Sequence, residues 1–351
     1  MFVDVGRIAG MINVLIGQHV DFPRVILTGQ YKGAPAALPD KFAFVSVVLR
    51  YTDKNFCFFK VKGSFMPKIS VLFPVYNTPE PFLREAVESI LNQTFPDFEL
   101  IVVNDASPDE NVEKVVLSYH DDRIRYYRNE KNLGISPTRN KLIDLAQGEY
   151  LAVMDHDDIS LPERFEKQVA FLDAHPDVGL VGTAHWEEPA HKLIIHPLNN
   201  DEIEEALMYD CPLIHPSVMM RRSVLMQTGV RYDKNYFPTE DYNLYLHLIG
   251  KTKFANLPEA LFCYRKHDSN TTNKETKRIR AIERNVFAFL RSEHPDLWRK
   301  AWVKHLQVKK IKLFGIPVLK IKTFQTTTKY YLFGFIPFMT VYTKLSDKVK
   351  L

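Results

Sequence analysis

From residue 69 onward the chain alternates short, unbroken apolar runs with stretches whose apolar positions recur every three or four residues. Ile69–Val75 is the first run. After it, Phe82, Leu83, Ala86, Val87, Ile90 and Leu91 fall at helical spacing, with Pro79 and Pro81 at the start, where proline is tolerated. Phe98–Val103 reads as a second strand, about Glu110 to His120 as a helix, and Ile124–Arg128 as a third strand. Asn132–Pro137 then leads into a helix with Ser136 expected as its N-cap, Pro137 in its first turn and Gly148 just past its end. Tyr150–Met154 is a fourth strand, Pro162 to about His175 a helix and Val178–Val181 a fifth strand. Strands separated by helices in this way predict parallel βαβ units with right-handed crossovers, hence an α/β fold with a mostly parallel, doubly wound sheet.

Beyond Gly182 the regular pattern stops. Thr183–Pro197 reads as a loop, Pro216–Arg221 as a short strand and Tyr242–Ile249 as a helix, before the polar segment Tyr264–His267. Upstream, Lys41–Arg50 and Phe56–Val61 predict a β-hairpin without recognisable chemistry. Met66, just before the regular pattern, is a candidate start of translation. The expected division is an extension of unknown role over residues 1–65, an α/β domain over 66–298 and a separate tail over 299–351.

Composition narrows the classes. At 351 residues and 46% hydrophobic content, the chain can bury a substantial core. Cys57, Cys211 and Cys263 show no CxxC spacing, so neither a disulfide framework nor a zinc ribbon is supported, and a cytoplasmic location is expected. Asp4 and Arg7 interrupt the N-terminal apolar stretch, against a signal peptide, and no run approaches the roughly 18 apolar residues of a spanning helix.

The net charge of +4 is unevenly spread: residues 299–351 carry twelve Lys and Arg against the single acid Asp347, leaving −7 on residues 1–298. The tail also repeats itself, as Leu313-Phe-Gly-Ile-Pro317 and Leu332-Phe-Gly-Phe-Ile-Pro337, with lysines on both sides. Lysines interleaved with aromatic and aliphatic residues suit the headgroup region of an anionic membrane, which predicts a peripheral position on the inner face of the cell membrane. The alternative is a pair of hairpins packed on the main domain. No motif supports a nucleic-acid partner.

Chemistry concentrates where the fourth strand ends. Asp155, Asp157 and Asp158 follow Met154 directly, and carboxylates alternating along an extended segment aim Asp155 and Asp157 at one point, where a hydrated Mg²⁺ or Mn²⁺ would balance their charge. Turn and N-cap acids before the next helix would look the same. Polar residues also close the first and second strands, at Pro74-Val75-Tyr76-Asn77 and Asn104-Asp105-Ala-Ser107. Asp105 alone reads more readily as a turn residue than as a ligand.

Taken together and in order, the segments PKISVLFPVYN, FELIVVNDAS, NLGISPTRN, GEYLAVMDHDDISLPERFEKQ, HPSVMMRR, TEDYNLYLHL and YRKH, from Pro67 to about Asn270, resemble the family 2 glycosyltransferases. That resemblance implies the GT-A nucleotide-sugar-binding fold and inverting transfer from a nucleotide diphosphate sugar, UDP above all, to a glycan or lipid-linked acceptor such as lipopolysaccharide or capsule. It implies that Pro74, Val75, Tyr76 and Asn77 meet the donor, with Val75 and Tyr76 lining the base pocket. Asp105 would bind the base, and Arg139, Asp155 and His156 would lie near the nucleotide sugar. Asp155 and Asp157 would be the metal-binding pair for Mn²⁺ or Mg²⁺, and His267 would approach the metal or diphosphate. Asp241 of the Glu240-Asp241 pair would be the catalytic base.

Chemistry supports that last role, because attack by an acceptor hydroxyl requires loss of its proton and a carboxylate can take it. Without the resemblance, Glu240 and Asp241 read as acids complementing a helix start, and His267 as part of a basic strand end. Asn104 stands where many relatives carry aspartate. His156 stands where a small residue is usual, which is expected to alter metal preference. His185, His191 and His196 match no metal-ligand spacing and read as surface or substrate-loop residues. Two rival readings remain: an aspartate-nucleophile phosphatase, disfavoured because its motif belongs to the first strand and Ile159 replaces the expected Thr or Val, and a binding protein of the same fold without catalysis.

Overall fold

The computed structural model describes residues 25–27, 42–50, 58–267, 270, 275–313, 316–324, 327–332 and 336–342, with side chains described from 66 to 267, at 270 and at positions between 275 and 302. Two compact units emerge, Met1–Met66 and Pro67–Leu351. In the first, β1 (Val25–Leu27), β2 (Phe42–Arg50) and β3 (Phe58–Phe65) form an antiparallel sheet in that order, with Arg50 opposite Phe58 and Phe42 opposite Phe65. The hairpin expected from the apolar pattern is therefore present; its turn lies outside the described residues.

In the second unit the strands and helices alternate as the pattern predicts: β4 (Ile69–Val75), α1 (Glu80–Leu91), β5 (Phe98–Asn104), α2 (Asn111–Leu117), β6 (Ile124–Arg128), α3 (Ile135–Leu145) and β7 (Tyr150–Val153). Every residue of β4, β5 and β7 is buried, as expected of central strands covered on both faces. Successive side chains of a strand point to opposite faces. Thus Leu100, Val102, Tyr150 and Ala152 join one core with Leu83, Val87 and Ile90 of α1, while Ile101, Val103, Leu151 and Val153 join the other with Leu142 and Ile143 of α3. β5 pairs parallel with β4 and β6, and β4 pairs parallel with β7.

Gly148 is required where α3 returns to β7. A Cβ there would stand 2.5 Å from the Ser70 backbone nitrogen, and Gly148 N–H donates to Ser70 Oγ at 2.7 Å.

The far half of the sheet departs from a purely parallel plan. Its strand order is β6-β5-β4-β7-β11-β9-β12-β8, completed by β8 (Ile159–Ser160), β9 (Val178–Glu188), β11 (Met219–Arg221) and β12 (Lys253–Arg265). β11 inserts antiparallel between β7 and β9. The predicted loop 183–197 is instead the outer half of β9 turning back as β10 (Lys192–Ile194), with Trp186 opposite Leu193. Its polar residues hide a strand because β12, some 75 residues later, supplies the pairing from Leu257–Thr183 to Arg265–Glu188.

Helices α4 (Arg164–Ala174), α5 (Asn200–Ala206), α6 (Arg222–Thr228) and α7 (Glu240–Leu246) flank this half. Ile282, Val286 and Leu290 of α8 (Thr276–Glu293) and Ala301 of α9 (Pro295–His305) complete the second core. The tail then folds as an antiparallel meander of β13 (Leu306–Leu313), β14 (Ile316–Phe324), β15 (Thr327–Leu332) and β16 (Ile336–Tyr342). Each copy of the repeat runs from the end of one strand into the next, with Leu313 paired to Ile316 and Leu332 to Ile336. Among the described residues no helix is long and apolar enough to cross a membrane.

Candidate active site

Parallel pairing brings the ends of β5, β4 and β7 side by side, with Val75 opposite Asn104 and Leu72 opposite Val153. The three polar strand ends therefore share one edge of the sheet, where ligands of open α/β sheets bind. Val75 is buried, Pro74 lies within β4, and Tyr76 is 45% exposed at the rim. Asn77 follows in a left-handed conformation at φ 49°, its N–H donating to Ser107 Oγ at 3.0 Å.

Asp105 is buried beside them and accepts three hydrogen bonds, from Asn129 Nδ2 at 2.7 Å and from the N–H groups of Leu133 and Gly134, each at 2.9 Å. A carboxylate offers about four lone-pair sites, so one is left for a ligand. These bonds also explain a correction: α3 begins at Ile135 with Gly134, at φ 86°, in the capping position, and Ser136 lies inside its first turn. Asp105 supplies the long-range acceptor for the backbone just before the helix, so the local serine cap is not used.

Beyond Met154 the three acids separate into different environments. Arg164 anchors the strand end from below: it is fully buried against Phe165 and Phe262 and donates to the carbonyls of Val153 at 2.9 Å and Val218 at 3.3 Å. Burial pulls its pKa down to about 9, against the pull of Asp158. Asp158 points inward, accepting from Arg265 N–H at 2.8 Å. Burial, then Asp157 and Asp155, push its carboxyl well above the usual range. It belongs to the structural support, joining the loop to β12.

Asp155 and Asp157 stay partly open, with side chains 27% and 16% exposed. Asp157 Oδ2 lies 3.0 Å from His267 Nε2. The ring of His267 is tilted over Phe82 at 5.6 Å between centroids. His156 Nδ1 is buried without a hydrogen-bond partner among the described residues, 4.0 Å from Asp157 Oδ1.

Arg139, on α3, ties this strand end to α7. Its Nη2 donates to Asp155 Oδ1 at 2.9 Å and its Nη1 to Glu240 Oε1 at 2.8 Å. Burial opposes the charge, but Asp155 and Glu240 outweigh it and raise the guanidinium pKa above its ordinary value. Glu240 is buried, its pKa pushed up to about 7 by burial against the opposing pull of Arg139. Asp241 is the more exposed of the two acids. Its Oδ1 accepts only its neighbour's Tyr242 N–H at 2.7 Å, and burial, partly offset by Arg139, raises its pKa.

Hard divalent cations take oxygen from one or two carboxylates and complete their shell with water and phosphate oxygens, while imidazole favours Mn²⁺ over Mg²⁺. Asp155, Asp157 and His267 offer that chemistry. Among the described residues no three His, Cys, Asp or Glu side chains come together as a group that could hold a metal ion; Asp155 is bonded to Arg139 and Asp157 to His267 instead. Arg139 Nε, His156 Nδ1 and Glu240 Oε2 are buried here without hydrogen-bond partners among the described residues.

The structure thus gathers Asp155, His156, Asp157, His267, Arg139, Glu240 and Asp241 around one strand end, with Asp105 and Pro74 to Asn77 along the same edge. One expectation changes here. His185 is buried rather than on a surface loop, with Nδ1 3.4 Å from His196 Nε2 and the two rings stacked. Tyr232, whose ring lies under Arg139, meets His215, which in turn meets Tyr245; of these only His215 and Tyr245 fall within the segments HPSVMMRR and TEDYNLYLHL.

The family description "Glycosyl transferase family 2" matches residues 70–229. An uncharacterized glycosyltransferase of Methanocaldococcus jannaschii is 33% identical over 207 residues, 57% of this chain and 71% of that protein. The amylovoran biosynthesis glycosyltransferase AmsE of Erwinia amylovora is 33% identical over 198 residues, 55% of this chain and 74% of its own length. Among solved structures, S. aureus TarS 1-349 in complex with UDP-GlcNAc superposes with a TM-score of 0.54 at 20% identity, over 62% of this chain and 65% of that one. The Pyrobaculum calidifontis mannosyltransferase PcManGT in complex with GDP-Man and Mn²⁺ superposes at 0.53 and 18% identity, over 68% of this chain and 70% of that one. At such identities these two likenesses speak for the fold alone.

Proposed function

The chain belongs to glycosyl transferase family 2, and we propose that it carries out inverting transfer of a sugar from a nucleotide diphosphate sugar, UDP-linked, to a surface-glycan acceptor such as lipopolysaccharide or capsule. The observation that carries this reading is the Arg139 bridge, which holds the start of α7, and with it Asp241, beside Asp155 at the end of β7. Membership of the family supports a nucleotide-sugar donor, of the kind held by the TarS and PcManGT structures that share the fold, and AmsE supports a place in glycan synthesis.

In this reading Tyr76 and Val75 border the base pocket, and Asp105 offers its remaining lone pair to the base. Asp155 and Asp157, with His267, would hold Mn²⁺ or Mg²⁺. When bound, the ion supplies positive charge against the leaving diphosphate. Asp241 accepts the proton of the acceptor hydroxyl as its oxygen bonds to the anomeric carbon. The bond from that carbon to the diphosphate oxygen breaks, and its electron pair stays with the nucleotide. Glu240, already bound to Arg139, sets the position of Asp241 rather than sharing its role.

The tail supports docking on an anionic membrane. Twelve Lys and Arg against one acid, interleaved with aromatic and aliphatic residues, suit the headgroup region of such a membrane. Every residue named in this machinery lies after Met66, so a chain starting at Met66 is expected to remain soluble and active; insolubility of that chain alone would show that residues 1–65 complete the core.

A screen of nucleotide sugars, measuring metal-dependent donor hydrolysis without acceptor, tests the function. Turnover of one UDP-sugar is expected. UDP binding with no turnover across donors and acceptors would instead indicate a binding protein, and release of phosphate from phosphomonoesters a phosphatase.

A further inference from the structure

We propose that His215 is a positioning residue for Glu240 and Asp241, acting through Tyr232 and Arg139 on one side and Tyr245 on the other. His215 sits in a single tight turn, His215–Ser217, and is 4% exposed. Both ring nitrogens are engaged, Nδ1 with Tyr245 Oη at 2.5 Å and Nε2 with Tyr232 Oη at 3.1 Å. The Tyr232 ring lies under the Arg139 guanidinium, 5.6 Å from its centroid. Asn140, next to Arg139 on α3, fixes the Tyr232 backbone, its Nδ2 donating to Tyr232 O at 2.8 Å and its Oδ1 accepting from Tyr232 N–H at 3.0 Å.

These contacts close a ring. Glu240 and Tyr245 belong to the same helix, so α7 is held at its first turn by Arg139 and at its last by His215, with Tyr232 linking the two holds. The helix needs such support: it has only seven residues, and Thr239 makes no side-chain cap. A neutral imidazole presents one donor and one acceptor on a rigid ring, so one tyrosine hydroxyl gives a hydrogen bond and the other receives one. Burial, together with the nearby Arg139 charge, holds the imidazole pKa well below its ordinary value and keeps that polarity fixed.

Loosening the ring displaces Asp241 from the strand end without touching Asp105 or Tyr76. Turnover is therefore expected to fall while nucleotide binding persists. Tyr232→Phe and Tyr245→Phe each delete one hydroxyl at nearly constant volume, and His215→Phe deletes both hydrogen bonds. The turnover measurement rests on the glycosyltransferase reading, and uses whichever UDP-sugar the wild-type protein hydrolyses. A second measurement is independent of it: NMR of the Arg139 guanidinium, whose rotation is slowed by its two ion pairs and the aromatic ring beneath.

The expected result is a fall in kcat of about 5- to 30-fold in each tyrosine variant and more in His215→Phe, with UDP affinity in Mn²⁺ within about twofold and averaged Arg139 signals. Rates are taken per folded molecule, from thermal melts. Wild-type kcat in both tyrosine variants, or equal losses of kcat and UDP affinity, overturns the proposal. Should the wild-type protein turn over no donor, the functional reading fails, and unchanged Arg139 signals in all three variants would still overturn the positioning role by themselves.

Discussion

Arg139 and Glu240, 101 residues apart in sequence, meet in a buried ion pair at 2.8 Å, and the same guanidinium reaches Asp155 with its other nitrogen. A buried charge left without its partner is costly, about 3 to 5 kcal/mol, so this bridge resists separation of α7 from β7. It also divides the labour of the two acids on α7. Glu240 gives its Oε1 to the bridge, and on the proposed reading Asp241 is the carboxylate that meets the acceptor hydroxyl.

That division predicts the behaviour of Asp241→Asn. Shape and hydrogen-bonding capacity persist while proton affinity is lost, so UDP binding should survive and sugar transfer should fall by about 10² to 10⁴. If Asp241 only complemented the helix start, transfer would be near normal and stability lower by about 0.3 to 1 kcal/mol. Melting, UDP titration and a transfer assay on one preparation separate these outcomes, and near-normal transfer would remove Asp241 as the base.

The metal assignment predicts that Asp157→Asn abolishes the Mn²⁺-dependent part of UDP affinity while the fold persists. Asp157 has His267 as its counterpart and takes no part in the Arg139 bridge, so its loss is the cleaner test. Asp155→Asn should weaken metal-dependent binding more mildly and also leave Arg139 with one carboxylate. Calorimetric titration with UDP, with and without Mn²⁺, measures both. Equal metal-dependent affinity in the two variants and the wild type would refute the site.

How far the sequence led depends on what kind of contact decides each element. Ile69–Val75, Phe98–Asn104 and Tyr150–Val153 are legible because their burial on both faces leaves an unbroken apolar run. Asp155 and Asp157 are legible because a strand end concentrates them. Val178–Glu188 was read at less than half its length, since its outer residues are polar and take their conformation from β12. Asp158 gave no local sign that it turns inward. Nor could spacing reveal that Tyr232, His215 and Tyr245 meet, for their contacts join a loop, a turn and a helix.

The stacked pair His185 and His196 predicts acid sensitivity. Burial, then the neighbouring His196, lowers the His185 pKa from 6.5 to about 4. Between those values the unfolded chain binds more protons than the folded one, so stability is complete above about pH 6.5 and declines as pH falls toward 4, by roughly 3 kcal/mol for this group. His185→Phe is expected to flatten that part of the stability curve in urea unfolding from pH 4 to 7. An unchanged slope would show that His185 titrates normally.

The last prediction concerns the tail. Twelve basic residues against one acid from Arg299 onward give it an attraction to anionic surfaces that the rest of the chain, at −7, lacks. Each basic residue near such a surface contributes about 1 kcal/mol, and the field falls off within a Debye length of about 8 Å at physiological salt. Deleting residues 309–351 removes the meander except the first three residues of β13 and should abolish binding to phosphatidylserine-containing vesicles, while donor hydrolysis by the remaining chain continues. Raising salt should release the full-length protein in part, because aromatic and aliphatic contacts persist when charge is screened. Reversing two of the lysines, as Lys310→Glu and Lys322→Glu, lowers the positive charge of the tail and should lower vesicle affinity. Vesicle sedimentation reads all three, and equal binding by the full-length and shortened chains would eliminate the tail as the docking element.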